Sequence, residues 1–240
     1  YKRQQLYTKE FVIESSNAIS AAYAAWIQAR KNNDFSLYEP ALSRVVALKR
    51  QECELLGYED HPYDALLDQY EPDAKTADLN ILFADVRRQL VDFVKQIGDK
   101  ENVKDSWMFE HFGKDKQWQF GLDMLGQMGY DFDGGRQDVS AHPFTTSFGA
   151  EDVRVTTRID ENNFSEMFWS CIHEGGHALY EQGLKTENYG LPTGEAISMG
   201  IHESQSRLWE NNVGRSLTYW KANYPALQAL FPENLGEVSL

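Results

Sequence analysis

Apolar residues recur at steps of three and four positions along most of the chain, which is the spacing of an amphipathic helix. The pattern predicts helices over residues 2–30, 37–56, 76–97, 114–128, 163–180 and 195–209, with one more before Phe231. Gly57 and Gly129 follow two of these helices directly, and glycine is the preferred residue just beyond a helix C-terminus. Thr76 is expected to cap the N-terminus of the third helix.

The pattern changes between residues 131 and 160, where no helical period is present. The segment "DVRVTTRI" alternates polar and apolar residues and is rich in β-branched side chains, which predicts a strand. The preceding segment "HPFTTSF" could pair with it across "GAED" as a hairpin. The sequence therefore predicts a mainly α fold with a small β-hairpin or sheet element around residues 140–160.

Composition limits the kinds of partner. Of the 240 residues, 42% are hydrophobic and 25% are charged, which is typical of a globular chain with a sizeable core. The formal net charge of −14 disfavours nucleic acid and gives no basic patch for an anionic membrane surface. No apolar run approaches the roughly 20 residues needed to span a bilayer. Cys53 and Cys171 are predicted to be free, buried thiols, which indicates a reducing, cytoplasmic location.

The stretch "HEGGH" carries the first chemical signal. His173 and His177 lie four positions apart on a predicted helix, so both imidazoles share a face and can reach one metal ion. Glu174 lies beside them as a candidate general base. Gly175 and Gly176 each cost a helix about 1 kcal/mol relative to alanine. We therefore expect the two glycines to permit the close approach of another element.

A catalytic zinc site usually has three protein ligands and one open position. Glu203, on the next predicted helix in "GIHESQSRLWE", is the main candidate for the third ligand. His202 competes with it, because adjacent helical residues point in different directions and only one can face the metal. The remaining candidates are Glu181, Glu195 and Glu210.

Other polar residues are ambiguous from the sequence pattern. His142 precedes a proline in an irregular segment, where a histidine is more often a surface residue. Arg154 and Arg158 have the same parity on the predicted strand and share a face. Such arginines are usually solvated, although arginine also suits the binding of a substrate carboxylate.

Four motifs in order resemble those of the M32 metallocarboxypeptidases, the thermostable Taq carboxypeptidase type. They are "HPF" at 142–144, "DVRVT" at 152–156, "HEGGH" at 173–177 and "HESQ" at 202–205. Their order and spacing both fit, and together they are far more specific than a single H-E-x-x-H. The resemblance covers at least residues 111–220.

The resemblance implies a largely helical, gluzincin-like metallopeptidase fold with a deep groove, usually in a homodimer. It implies an exopeptidase that removes single C-terminal residues from peptides with broad specificity. It also implies one divalent metal per chain, zinc or alternatively cobalt, bound by His173, His177 and Glu203. Glu174 is then the general base.

The resemblance further implies substrate contacts outside the H-E-x-x-H helix. The histidine of the first motif, His142, is expected to bind substrate near the metal. The second motif contributes Asp152, Arg154 and Thr156 to the architecture of the groove and to the restriction of substrate length, with Arg154 as a candidate substrate contact.

The chain also departs from the family pattern. Family members are much longer and carry a further motif, with an arginine and an acid, downstream of H-E-S. We therefore expect a central fragment of a longer peptidase, with a single, mostly helical domain over residues 1–240. Within it, residues 1–130 would form part of the groove wall and residues 131–220 the catalytic motif region.

Two alternative functions stay open. A related endopeptidase or oligopeptidase could use the same two histidines and glutamate, because H-E-x-x-H does not distinguish internal from terminal cleavage. A catalytically incomplete fragment could instead serve as a scaffold. A purely structural zinc site is disfavoured, because such sites are usually closed by four cysteine and histidine ligands and the chain has only two cysteines.

Overall fold

The computed structural model describes residues 3–101 and 103–240. It divides into two compact units that meet in the sequence at Lys100 and Glu101. The start of the first predicted helix at Lys2 lies outside the described residues. The single-domain organisation stays a prediction.

The first unit consists of helices. They are α1 (Lys9–Asn32), α2 (Glu39–Leu56), α3 (Pro62–Leu67) and α4 (Thr76–Gly98), with a short 3₁₀ turn at Arg3–Leu6 before α1. Helix α1 begins after Thr8, whose side chain accepts a hydrogen bond from the Phe11 amide, and it ends at Asn33 in a left-handed conformation. Helices α1 and α2 pack together over a small core that includes Phe11, Leu48 and Cys53.

Helix α4 differs from its prediction at the N-cap. Lys75, rather than Thr76, is the N-cap residue, and the amide and hydroxyl of Thr76 both donate to the Asp64 carboxylate of α3. The apolar face of α4 is exposed, with Phe83 60% and Val94 61% accessible. The periodicity therefore predicted the helix correctly, whereas the cap residue was wrong.

The second unit contains a three-stranded sheet. Its strands are β1 (Gly135–Val139), β2 (Thr145–Ser147) and β3 (Val153–Thr157), in the order β1-β3-β2. Strand β2 pairs antiparallel with β3, with Thr146 opposite Arg154, which confirms the predicted hairpin. Strand β1 pairs parallel with β3 and was not predicted.

Helices make up most of the second unit. They are α5 (Lys114–Met128), α6 (Phe164–Gln182), α7 (Met199–Arg207), a π-helix (Leu208–Gly214), α8 (Leu217–Leu230) and α9 (Pro232–Leu235). Helix α7 begins later than predicted because Ser198 caps it by accepting a hydrogen bond from the Ile201 amide. The mainly helical fold class with a small sheet is confirmed.

Helix α6 occupies the centre of the second unit and packs against α5, β3, α7 and the π-helix. Phe112, Phe164 and Phe231 pack ring to ring at one end of the core, with centroids 5.0–5.8 Å apart. Cys171 of α6 is fully buried, which raises the pKa of its thiol to about 11. Both cysteines are free and buried, as predicted. Among the described residues, no helix combines the length and apolar character that a membrane span requires.

Candidate metal centre

Helices α6 and α7 bring the predicted ligands together. The Nε2 atoms of His173 and His177 lie 3.6 and 3.3 Å from Oε2 of Glu203. The two imidazole rings stand almost perpendicular, at 78°, with centroids 5.0 Å apart. One ligand atom from each of the three residues lies within 4.8 Å of the others, so all three can face a single ion.

Gly176 explains how α7 comes so close to α6. A Cβ atom at this position would lie 2.6 Å from Cα of Ser206 and 2.8 Å from the carbonyl oxygen of Gln205. No side chain fits there, so the helix backbones approach directly. Glu203 lies one turn before Ser206 on α7 and is thereby brought to the histidines. The predicted reason for this glycine is confirmed.

Gly175 permits a second close approach, on another face of α6. A Cβ atom there would lie 2.7 Å from Cε of Met128 and 2.8 Å from Cδ2 of Leu125, both on α5. These neighbours are the ends of flexible side chains rather than backbone. The backbone of α7 therefore constrains Gly176, whereas side chains of α5 constrain Gly175, although both glycines are buried.

Three competing ligand candidates, His202, Glu181 and Glu210, form other contacts, and Glu195 is not part of the cluster. Nε2 of His202 donates a hydrogen bond to Oε1 of Glu181, at 2.8 Å, and the ring of His202 stacks on that of His177 with centroids 4.5 Å apart. Oε2 of Glu210 lies 2.9 Å from Nδ1 of His173, whereas Glu203 lies near the other ring nitrogen, Nε2. Within residues 3–101 and 103–240, the set His173, His177 and Glu203 is the only group of three such side chains placed to hold a metal.

The protonation states of the ligands suit a cation. Burial, together with the neighbouring His202 and His173, lowers the pKa of His177 to about 4, so its imidazole is neutral at pH 7. Burial pushes the pKa of Glu203 upward, but hydrogen bonds from Arg207 and Ser206 hold it below its ordinary value. Two imidazoles and one carboxylate match the donor set of a catalytic zinc.

Glu174 is buried beside this cluster. Oγ1 of Thr145, on β2, lies 2.7 Å from its Oε2 and donates to it. Burial raises the pKa of Glu174, and the Thr145 hydrogen bond opposes that rise only in part. A carboxylate with a raised pKa is better suited to take up and release a proton near neutral pH.

The depressed pKa of His177 predicts a pH-dependent stability for the metal-free protein. Between about pH 6.5 and pH 4 the unfolded chain binds a proton that the folded chain excludes, so the free energy of unfolding falls as the pH falls. His177 should contribute about 2 kcal/mol to the loss between pH 7 and pH 5. Urea unfolding in the presence of a chelator measures this contribution as the difference between wild type and His177→Gln.

The exposed His111 provides the matched control for that experiment. His111→Gln shows how much of any change comes simply from removing one imidazole. If the free energy of unfolding of His177→Gln depended on pH as steeply as that of the wild type, the lowered pKa of His177 would be contradicted.

The candidates for substrate contact make different local contacts. His142 is exposed, with Nδ1 2.7 Å from the carbonyl oxygen of Pro143. Arg154 forms a two-pronged ion pair with Asp152, at 2.7 and 2.8 Å, and its guanidinium lies over the ring of Phe148. Arg158 pairs with Glu166 at 2.9 Å, on α6. Substrate binding by His142 and Arg154 stays a prediction.

Two functional contacts were missed by the sequence analysis. Thr145 holds Glu174, and its position in a predicted strand next to "HPF" was the only signal for it. Glu210 was considered only as a metal ligand, whereas the structure places it behind His173.

Comparison with known proteins decides the family. The family described as Carboxypeptidase Taq (M32) metallopeptidase matches residues 1–240. The chain belongs to the M32 family. Among its M32 relatives, carboxypeptidase 1 of Bacillus subtilis is 41% identical over 233 residues, covering 97% of this chain and 46% of the relative. Thermostable carboxypeptidase 1 of Thermus thermophilus is 40% identical over 250 residues, covering 100% of this chain and 49% of the relative.

Solved M32 structures share the fold. The M32 carboxypeptidase from Deinococcus radiodurans R1 matches with a TM-score of 0.86 and 36% identity, over 98% of this chain and 47% of that one. The chain spans about half the length of the curated relatives it matches. The predicted family and helical peptidase fold are therefore confirmed.

Proposed function

We propose that the chain carries the metal-binding part of a zinc-dependent carboxypeptidase, which removes C-terminal residues one at a time from peptides with broad specificity. The observation that carries this proposal is the convergence of His173, His177 and Glu203 beside a buried glutamate. Membership of the M32 family supports the reaction class.

A divalent metal would be held by the two Nε2 atoms and by the Glu203 carboxylate, with zinc as the proposed ion and cobalt as the alternative. Three protein ligands leave a position open, as in catalytic rather than structural zinc sites. The bound metal supplies Lewis acidity toward water and toward the scissile carbonyl.

Glu174 is the proposed general base and acid. It takes the proton of the attacking water and delivers that proton to the departing amine. Thr145 donates to Oε2 of Glu174 and so fixes the carboxylate in one orientation. The buried surroundings raise the pKa of Glu174, which favours the return of the proton.

His142 and Arg154 are the proposed substrate contacts. Arg154 has the fork of donors that binds a C-terminal carboxylate, and binding would require it to exchange Asp152 for the substrate. His142 would donate a hydrogen bond to the substrate from the segment before β2. The family resemblance supports the role of His142, and the donor geometry of arginine supports that of Arg154.

The oligomeric state and the location are part of the same proposal. We infer a homodimer for the complete protein, following the family resemblance. We also infer a cytoplasmic location, which is supported by the two free, buried thiols.

The products of a defined peptide test the reaction class. Mass spectrometry of a peptide incubated with the metal-loaded protein should show a ladder shortened one residue at a time from the C-terminus. The same peptide with an amidated C-terminus, which lacks the carboxylate, should be cut much more slowly. Internal fragments would instead support the endopeptidase alternative, and an intact peptide with a fully loaded site would support the scaffold alternative.

A further inference from the structure

Glu210 lies directly behind one of the proposed metal ligands. Its Oε2 is 2.9 Å from Nδ1 of His173, while Nε2 of the same ring is directed toward Glu203. A carboxylate only accepts hydrogen bonds, so this contact places the ring proton on Nδ1. The lone pair of Nε2 is then free for a metal.

The Glu210 carboxylate is itself held in place on several sides. Its Oε1 accepts a hydrogen bond from Nη2 of Arg215 at 3.0 Å, and Nη1 of Arg207 lies 3.5 Å from its Oε2. The Glu210 side chain is only 12% exposed. Two guanidinium groups therefore keep a mostly buried carboxylate ionised and oriented.

Arg215 connects this carboxylate back to the helix of the metal ligands. Its guanidinium lies 4.0 Å from the centre of the Trp169 ring, a cation–π distance. Trp169 precedes His173 by one helical turn on α6, so the two side chains share a face. Trp169, Arg215, Glu210 and His173 thus form a continuous chain of contacts that begins and ends on α6.

The backbone around Glu210 has an unusual conformation. Residues Leu208–Gly214 form a π-helix that continues α7 and packs against α6. Segments of π-helix are rare and frequently occur at functional sites. Gly214 ends this segment at a close contact, where a Cβ atom would lie 3.0 Å from Cδ1 of Ile172.

His177, the second histidine of the motif, has different neighbours from His173. His177 stacks on the ring of His202, which is paired with Glu181. Only His173, of the two imidazoles, has a carboxylate in direct contact with its Nδ1 among the described residues. His177 can therefore serve as an internal reference for the effect of Glu210 on His173.

We propose that Glu210 is a positioning residue that fixes the tautomer and the orientation of His173 for metal binding, with Arg215 as its anchor. Glu210 acts through His173 and touches neither the substrate nor the metal. This inference rests on the proposed role of His173 as a metal ligand. Partners of this kind typically change metal affinity by 10- to 100-fold when they are removed.

Zinc affinity, measured by competition with a chelating dye, tests the proposal on the whole chain. Glu210→Ala should weaken zinc binding about 10- to 100-fold. Glu210→Gln, which retains an acceptor oxygen for the Nδ1 proton, should recover part of that loss. Glu237→Ala, at an exposed position in the same unit, is the control and should bind zinc as the wild type does.

A second readout separates positioning from a general structural role. Nitrogen NMR of the imidazole rings in the metal-free protein reports which nitrogen of His173 carries the proton. The wild type should show the Nδ1-protonated tautomer, and Glu210→Ala should show a mixture. The ring of His177 should not change, and urea unfolding of the metal-free variant should establish that it remains folded.

The outcomes distinguish this inference from the proposed function. Wild-type protein that binds no zinc would contradict the metal site itself. Wild-type protein that binds zinc, with Glu210→Ala equally tight, would overturn the positioning role alone. An unchanged His173 tautomer in folded Glu210→Ala would also overturn it, whether or not zinc binds.

Discussion

Replacing Glu174 with glutamine is expected to abolish nearly all peptide hydrolysis and to leave metal binding intact. Glutamine has the same shape, and its amide oxygen can still accept the hydrogen bond from Thr145. It cannot, however, take a proton from water or return one to the leaving amine. Loss of general acid–base catalysis typically costs 10²- to 10⁴-fold in rate, so a fall in kcat of at least that size is expected. The measurement is kcat on a peptide, together with bound zinc per chain.

Glu166 offers a matched control on the same helix. Its carboxylate pairs with Arg158 at 2.9 Å at a partly exposed position and belongs to no candidate metal-ligand group among the described residues. Glu166→Gln should therefore retain kcat within a few-fold. Substantial turnover by zinc-loaded Glu174→Gln would contradict the assigned role of Glu174.

Substituting alanine for Gly176 is expected to weaken zinc binding, although Gly176 is not itself a ligand. The new Cβ atom would lie 2.6 Å from Cα of Ser206, which is backbone and cannot rotate away. Helix α7 must then shift, and Glu203 moves with it. Overpacking of this kind costs about 1–3 kcal/mol, which exceeds the roughly 1 kcal/mol that alanine contributes to helix propensity. Zinc affinity should fall by at least about tenfold, because a displaced ligand no longer meets the two imidazoles.

Gly175→Ala is the matched control, because the change in helix propensity is the same. Its Cβ atom would meet Cε of Met128 and Cδ2 of Leu125, which are the ends of side chains that can adopt other rotamers. Zinc affinity should remain near the wild-type value, with at most a modest loss of stability. Chelator competition and urea unfolding measure the two quantities. Equal zinc affinities for the two variants would show that the approach of α7 does not position Glu203.

The helices and the central motif were predictable because both depend on local sequence. Helix α5 occupies the predicted residues 114–128, since its apolar spacing and the following Gly129 are local signals. His173 and His177 needed only the helical repeat to share a face. Glu203 needed one further assumption, that the next helix returns beside the first, and Gly176 was the residue that made that approach possible.

Strand β1 and the π-helix were not predictable, because both depend on contacts distant in sequence. Strand β1 has a mostly polar sequence and forms through its parallel pairing with β3. The π-helix follows α7 without a break that the apolar pattern could reveal. The contact between Glu210 and His173 therefore appears only in three dimensions.

Helix α4 shows a further limit of periodicity. The apolar spacing identified both the helix and its apolar face, but a pattern of this kind does not identify what covers the face. The described residues leave that face exposed, including Phe83 and Val94.

The central claim is that His173, His177 and Glu203 hold one catalytic metal ion. Anomalous diffraction at the zinc edge, from crystals grown with zinc, tests it most directly. The account predicts one strong peak between α6 and α7, with both Nε2 atoms at about 2.0–2.1 Å and a Glu203 oxygen at about 2.0–2.2 Å. A peak coordinated by Glu210 or His202 in place of Glu203, or no peak between these helices, would contradict it.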